Sequence, residues 1–272
     1  MAQKTLLIGI DGLLLHRGLA SGKAPFLKEL KENSFYTDIR IDSITISGPS
    51  WSTILTGATN EQHQVFDNDF VGHQLHLYPD ILTQASLLNP QLHTFAAAGW
   101  LPLLDPASPA PIIRERKHDQ IEGRHKVFFK DGDSLGYETV DAEVAEFAEH
   151  HISSEGPDLS FVYFSQVDEC GHKYGTLKNP YFEALGRVDQ LVEKLHNVVD
   201  ARAKKFDEEW LVVITTDHGH LDEGGHGGES DQERSSFLIA YGVGRKNPQW
   251  KIPIAQHHIS HYILDSVSTL TS

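Results

Sequence analysis

The stretch Trp210-Leu211-Val212-Val213-Ile214-Thr215-Thr216-Asp217-His218-Gly219 carries the reading of the fold. Its apolar run is short and lacks polar alternation, which suits a strand buried on both faces, as in a parallel sheet. The run stops abruptly at an acidic residue, a histidine and a glycine. The same grammar recurs elsewhere. Thr5-Leu6-Leu7-Ile8-Gly9-Ile10 runs into Asp11-Gly12, Leu159-Ser160-Phe161-Val162-Tyr163-Phe164 runs towards Asp168, and Phe237-Leu238-Ile239-Ala240-Tyr241 stops at Gly242.

Helical patterns alternate with these runs. Asn179-Pro180 reads as a cap followed by proline at the first helical position. Beyond it Leu185, Val188, Leu191, Val192, Leu195, Val198 and Val199 recur at helical spacing, as do Val140, Val144, Phe147, Ala148 and Ile152. The alternation predicts a doubly wound α/β fold with a mostly parallel central sheet and helices on both faces. In such sheets ligands lie beyond the carboxyl ends of the strands. The chain is expected to be a single domain over residues 1–272. One segment, about 101–139, breaks the alternation. It opens with Pro102, Pro106, Pro109 and Pro111 and continues with Arg114, Arg116, Lys117, Arg124, Lys126 and Lys130. It is expected to be a small cap inserted over the strand ends, with a solvated surface loop as the plainer alternative.

Composition narrows the function classes. The 272 residues include 23 Lys and Arg against 38 Asp and Glu, a formal net charge of −15. A general nucleic-acid binder is basic, so a polymeric nucleic-acid partner is not expected. A small phosphate ester remains compatible, because bound metal reverses the local field. The one cysteine, Cys170, rules out an internal disulfide and a cysteine-based zinc module. No apolar run approaches the roughly 18 residues of a membrane span. The opening MAQKTLLIGIDG reads as a strand rather than a signal peptide. The expected location is cytoplasmic, without a membrane partner. The 17 histidines point to metal or proton chemistry.

Acidic residues and histidines stand at three strand ends. Asp11 follows the first, Asp168 and His172 the middle one, and Asp217-His218 the late one, with His226 soon after in Gly224-Gly225-His226-Gly227-Gly228. Singly, each is an ordinary turn or surface residue. A parallel sheet would bring them to one edge, where three carboxylates without a cation would repel one another. A pair of divalent ions resolves this, and mixed oxygen and nitrogen donors without thiolate suit zinc, with manganese or iron as competitors. The hydroxyl candidate is Ser47, in Ser47-Gly48-Pro49-Ser50-Trp51, placed at a helix N-terminus by Pro49. Its plainer role is an N-cap. Asn68, in Phe66-Asp67-Asn68-Asp69-Phe70, reads on its own as a turn residue. His220 reads as solvent-facing or as a partner of a ligand, Cys170 as a small packed residue, and Trp100 as a core residue or a pocket wall.

The ordered set Asp11, Ser47 with Pro49 and Thr56-Gly57, Asp168-x-x-x-His172, Asp217-His218-Gly219 and Gly225-His226 resembles the alkaline phosphatase superfamily. More closely, it resembles the type I phosphodiesterase/nucleotide pyrophosphatase branch, over residues 5 to 242. The resemblance implies two divalent ions. Asp168, His172 and His226 would hold one; Asp11, Asp217 and His218 would hold the other together with Ser47, the nucleophile. Asn68 matches the asparagine that binds a non-bridging phosphate oxygen, with a backbone N–H near Gly48 beside it. The expected reaction is cleavage of a phosphodiester or pyrophosphate bond through a phosphoseryl intermediate.

That branch usually carries Thr where Ser47 stands, and a larger cap than this chain holds. The alternatives are a phosphomonoesterase on the same site, a sulfatase, a non-catalytic metal-binding protein, and a mutase, which would need a larger second domain. Ser47-Gly48-Pro49-Ser50 resembles the start of the sulfatase signature, but Trp51 replaces the arginine that follows there. The His-rich ligand set also differs from the all-oxygen donors that calcium prefers.

Overall fold

The computed structural model describes residues 3–268. Seven strands, β1 (Gln3–Ile10), β2 (Phe35–Arg40), β3 (Thr94–Ala98), β4 (His125–Phe129), β5 (Leu159–Phe164), β6 (Glu209–Thr215) and β7 (Ser235–Val243), form one sheet in the order β2-β7-β6-β1-β5-β3-β4. From β6 through β1, β5 and β3 to β4 all neighbours are parallel. Successive side chains go to opposite faces. In β1, Leu6, Ile8 and Ile10 join one core and Leu7 the other; in β6, Val212 and Ile214 oppose Leu211 and Val213. The first core packs against helices Tyr137–Ser154 and Asn179–Phe206, the second against Ser47–Thr56, Ile81–Leu88 and Ile259–Ser268. The doubly wound architecture expected from the alternation is therefore present, and its two faces account for the unbroken apolar runs.

The β7 run follows the same apolar pattern but lies antiparallel to β6. The connection 216–234 contains no helix, and a parallel return needs a crossover of a dozen or more residues, usually helical. The Asn179–Phe206 helix has Lys178 at its cap position, one residue earlier than the sequence pattern suggests. Among the described residues no helix is long and apolar enough to cross a membrane.

Residues 101–139 are not simply laid over the strand ends. Their middle, His125–Phe129, pairs in parallel with β3 and forms the sheet edge. Lys126 interrupts an otherwise apolar run there, as charges do on edge strands. The basic residues have partners within the fold. Arg114 donates to the carbonyls of Leu75 and His76 at 2.7 and 2.6 Å. Arg116 and Arg124 both grip Asp119, at 3.0 and 2.7 Å, and Lys130 pairs with Glu143 at 2.6 Å. Only the C-terminal part of the segment, with Asp133 and Tyr137, reaches the cleft at the strand ends.

Candidate functional site

Because β6, β1 and β5 are adjacent and parallel, their carboxyl ends meet at one edge. Asp11 continues β1 by donating its N–H to the Phe164 carbonyl at 2.9 Å. Asp217 follows β6 and accepts the Gly12 N–H at 3.3 Å. Asp168 lies in the first turn of the helix Gln166–Tyr174. Buried Asp141 fixes the start of that helix, accepting from the N–H groups of Ser165 and Gln166 at 3.0 and 2.8 Å. One turn on, His172 places Nε2 at 3.5 Å from Asp168 Oδ2 and 2.9 Å from His226 Nε2.

Ser47 is the first residue of the helix Ser47–Thr56, and the cap position is taken by Ile46. Its Oγ lies instead 3.1 Å from His218 Nε2 and 3.4 Å from Asp11 Oδ1. The plain N-cap role is thereby excluded, and the hydroxyl sits between two predicted ligands. The helix N-terminus adds partial positive charge at that point.

The histidine tautomers follow from their second contacts. His218 donates from Nδ1 to the Gly219 carbonyl at 3.0 Å, and His226 from Nδ1 to the Thr45 carbonyl at 2.8 Å. Both therefore present a bare Nε2 lone pair, the arrangement of metal-ligating imidazoles. His218 Nε2 faces Asp217 Oδ2 at 3.2 Å, and that oxygen is buried without a hydrogen-bond partner. Two electron-rich atoms at this distance call for a cation between or beside them. Ligand atoms of Asp11, Asp217 and His218 lie within 4.8 Å of one another, and so do those of Asp168, His218, His220 and His226. The donor set fits divalent ions with oxygen and nitrogen preference.

The charges agree with that fit. Burial, aided by the charge of Asp168, pushes the Asp11 carboxyl up to about 7. Burial followed by Asp11 and Asp168 raises Asp217 well above the ordinary carboxylate range. Burial, then the charge of His226, holds His218 well below the usual imidazole value. Burial would raise Asp168 too, but the hydrogen bond and charge of His220, with His218 and His226, hold it below its ordinary value. A protein alone pays heavily to keep such carboxylates ionised together.

Three residues enter the site that motif reading did not place there. His220, expected to face solvent or to support a ligand, is fully buried and sits with Nε2 2.6 Å from Asp168 Oδ1. Trp51 Nε1 and the Tyr163 hydroxyl both donate to Asp11 Oδ2, at 2.9 and 2.5 Å. Trp51, one turn from Ser47, carried a legible spacing signal; Tyr163 reads as one more core residue of β5. Cys170 is a buried free thiol, pushed up to about 11 mainly by burial.

The cleft over these groups has a volume of about 340 Å³ and is lined by Asp11, Ser47, Asn68, Asp168, His172 and His226, and also by Trp100, Asp133, Tyr137 and Glu169. None of its lining residues is Lys or Arg. Asn68 approaches the start of the Ser47–Thr56 helix and accepts the Gly48 N–H with Oδ1 at 2.7 Å. The Gly48 N–H, expected to face a phosphate oxygen, is thus already paired, and the Asn68 Nδ2 amide is the donor left for a ligand. Gly48 must be glycine for this approach, since a Cβ would stand 2.8 Å from Asn68 Oδ1.

The profile of the type I phosphodiesterase / nucleotide pyrophosphatase family matches residues 5–228. The catalytic subunit of human GPI ethanolamine phosphate transferase 3 is 30% identical over 114 residues, which are 42% of this chain and 10% of that protein. The matched stretch is thus about a tenth of the relative's length. Among solved structures, phosphonoacetate hydrolase from Sinorhizobium meliloti superposes with a TM-score of 0.60 at 16% identity, covering 80% of this chain and 56% of that one. Human ectonucleotide pyrophosphatase / phosphodiesterase 5 gives 0.54 at 22% identity, covering 80% and 57%. A 2-O GAG sulfatase gives 0.67 at 13% identity, covering 98% and 71%. These likenesses are of fold. With strand ends, ligand order and family profile in agreement, the chain belongs to the type I phosphodiesterase/nucleotide pyrophosphatase family.

Proposed function

We propose that this protein is a divalent-metal-dependent phosphoester hydrolase that cleaves phosphodiester or pyrophosphate bonds through a phosphoseryl intermediate on Ser47. The observation that carries the reading is the Ser47 hydroxyl, which stands at the first position of a helix capped by Ile46 and lies within 3.4 Å of both Asp11 and His218. Asp168, His172 and His226 would hold one ion; Asp11, Asp217 and His218 would hold the other. Zinc suits these donors best, with manganese or iron as alternatives. Such ions, when bound, lower the pKa of a hydroxyl and neutralise charge on a transferring phosphoryl group.

The chain's own groups do the rest. Ser47 Oγ bonds to phosphorus as the bond to the leaving oxygen breaks, and the leaving group departs with a proton from solvent. Water then attacks phosphorus, the Oγ–P bond breaks, and Ser47 recovers its proton. Asn68 Nδ2 donates to a non-bridging oxygen. A neutral amide there, with no lysine or arginine on the cleft wall, suits the single charge of a diester better than the two charges of a monoester. The same lining supports a small phosphate ester as substrate. The net charge of −15 supports a partner other than a nucleic-acid polymer.

A second reading has its own support. Asp133 and Glu169 line the cleft together with Trp100 and Tyr137, a set that suits an ammonium-bearing ester group. The relative named as an ethanolamine phosphate transferase points the same way. In that reading an alcohol, not water, takes the phosphoryl group from Ser47.

The test is kcat/KM of zinc-loaded protein on one aryl phosphodiester and the matching monoester, with and without added ethanolamine, and Ser47→Ala as control. A diester preference, abolished in Ser47→Ala with both ions retained, is the expected result. Near wild-type turnover in that variant would refute the nucleophile. A transferred product with ethanolamine would select the second reading.

A further inference from the structure

Ser47 and Trp51 lie one turn apart on one helix face, and both reach the same carboxylate. Ser47 Oγ is 3.4 Å from Asp11 Oδ1, and Trp51 Nε1 is 2.9 Å from Asp11 Oδ2. The indole is fully buried and edge-on to Tyr163 at 5.4 Å between ring centroids. Tyr163, next to Gly9 across the β1–β5 pair, brings a second donor to the same oxygen at 2.5 Å. The indole passes so close under β1 that a Cβ on Gly9 would stand 2.4 Å from Trp51 Cη2. The strand carries a glycine where the indole crosses it.

We propose that Trp51 is a positioning residue for the nucleophile's metal site. Its indole N–H, with the Tyr163 hydroxyl, occupies Oδ2 of Asp11 and commits Oδ1 to the cation shared with Ser47. This couples the nucleophile and its carboxylate ligand through one helical turn. Hydrogen bonds to ligating carboxylates set the orientation of the ligand, and their loss costs about 10–100-fold in metal affinity. The inference rests on the two-ion reading given above.

The test titrates metal-stripped full-length protein with zinc, comparing wild type, Trp51→Phe, Tyr163→Phe, Asp11→Asn and Asp11→Asn/Trp51→Phe. Phe keeps the aromatic bulk and removes the donor. Trp51→Phe should weaken one of two ions by about 10–100-fold and leave the other unchanged. In the Asp11→Asn background the same substitution should add little, because both changes act on one contact. Unchanged affinities in Trp51→Phe, or losses that add fully to those of Asp11→Asn, overturn the inference. Wild-type protein that takes up no divalent ion refutes the two-ion reading itself, a separable result. If Trp51→Phe does not fold, the indole N–H resonance of Trp51, one of four tryptophans, decides. It should move in Asp11→Asn and in Tyr163→Phe; a resonance unmoved in both overturns the assignment.

Discussion

His220 donates its Nε2–H to Asp168 Oδ1 across 2.6 Å, from a ring with no exposed surface. The direction of that bond follows from the other nitrogen. Nδ1 of His218 and of His226 each meets a backbone carbonyl, whereas Nδ1 of His220 is buried without a partner. A buried N–H left unpaired costs more than an unpaired acceptor, so the proton belongs on Nε2. Through Nε2, His220 then orients Asp168, one of the candidate ligands. His220→Ala should weaken zinc binding by about 10–100-fold, and His220→Gln, which can place an amide donor near Nε2, should recover most of it. Zinc titration of metal-stripped protein measures both; wild-type affinity in His220→Ala would refute the role.

Asn68 has one polar atom engaged by the protein, Oδ1 on the Gly48 N–H, and one free for a ligand. Asn68→Ala should therefore lower kcat/KM on an aryl phosphodiester by about 10–100-fold, the worth of one hydrogen bond to a charged group. Asn68→Asp should lose more, since it brings a negative charge to the phosphate. An Asp variant as active as wild type would remove Asn68 from the phosphate site.

Much of this was legible in the sequence, and the exceptions have physical causes. β1, β5 and β6 are buried on both faces, so their apolar runs are continuous and each ends on a ligand candidate. β2, Phe35–Arg40, is an edge strand with exposed Asp38 and Arg40, and β4 carries an exposed Lys126, so neither reads as a buried strand. Asp11, Asp168, His172, Asp217, His218 and His226 were visible because strand ends converge. His220 was not, because its inward turn depends on Gly219 pairing its N–H with the distant Glu233 carbonyl at 2.9 Å. Nor could a residue list show that Gly48 and Asn68 would satisfy each other.

The basic run 114–130 makes a contrasting prediction. Arg114 holds two carbonyls of the 75–76 turn, and its own N–H meets Asp80 Oδ2 at 3.1 Å. It does not line the cleft. Arg114→Ala should leave KM for anionic esters unchanged while lowering stability by about 1–3 kcal/mol through the loss of its hydrogen bonds to the two carbonyls. Urea unfolding and steady-state kinetics separate the two; a raised KM with unchanged stability would place Arg114 in substrate recognition instead.

His63 makes the fold sensitive to acid independently of the metal site. It is fully buried, accepts the Val65 N–H on Nδ1 at 3.0 Å and donates from Nε2 to Thr53 Oγ1 at 3.0 Å, while Thr53 donates onward to the Pro49 carbonyl. Both nitrogens are satisfied only in the neutral ring, and protonation would set Nδ1–H against the Val65 N–H. Burial lowers its pKa from 6.5 to about 4. Below pH 6.5 the unfolded chain binds a proton that the folded chain refuses, so stability falls with decreasing pH. The loss from this one group reaches about 3 kcal/mol near pH 4. Urea unfolding of metal-free protein at several values between pH 7 and 4.5 measures it. His63→Asn, whose Oδ1 can still accept from Val65, should be less stable at pH 7 yet show a flatter decline. Equal slopes in the two proteins would mean that His63 titrates normally in the folded state.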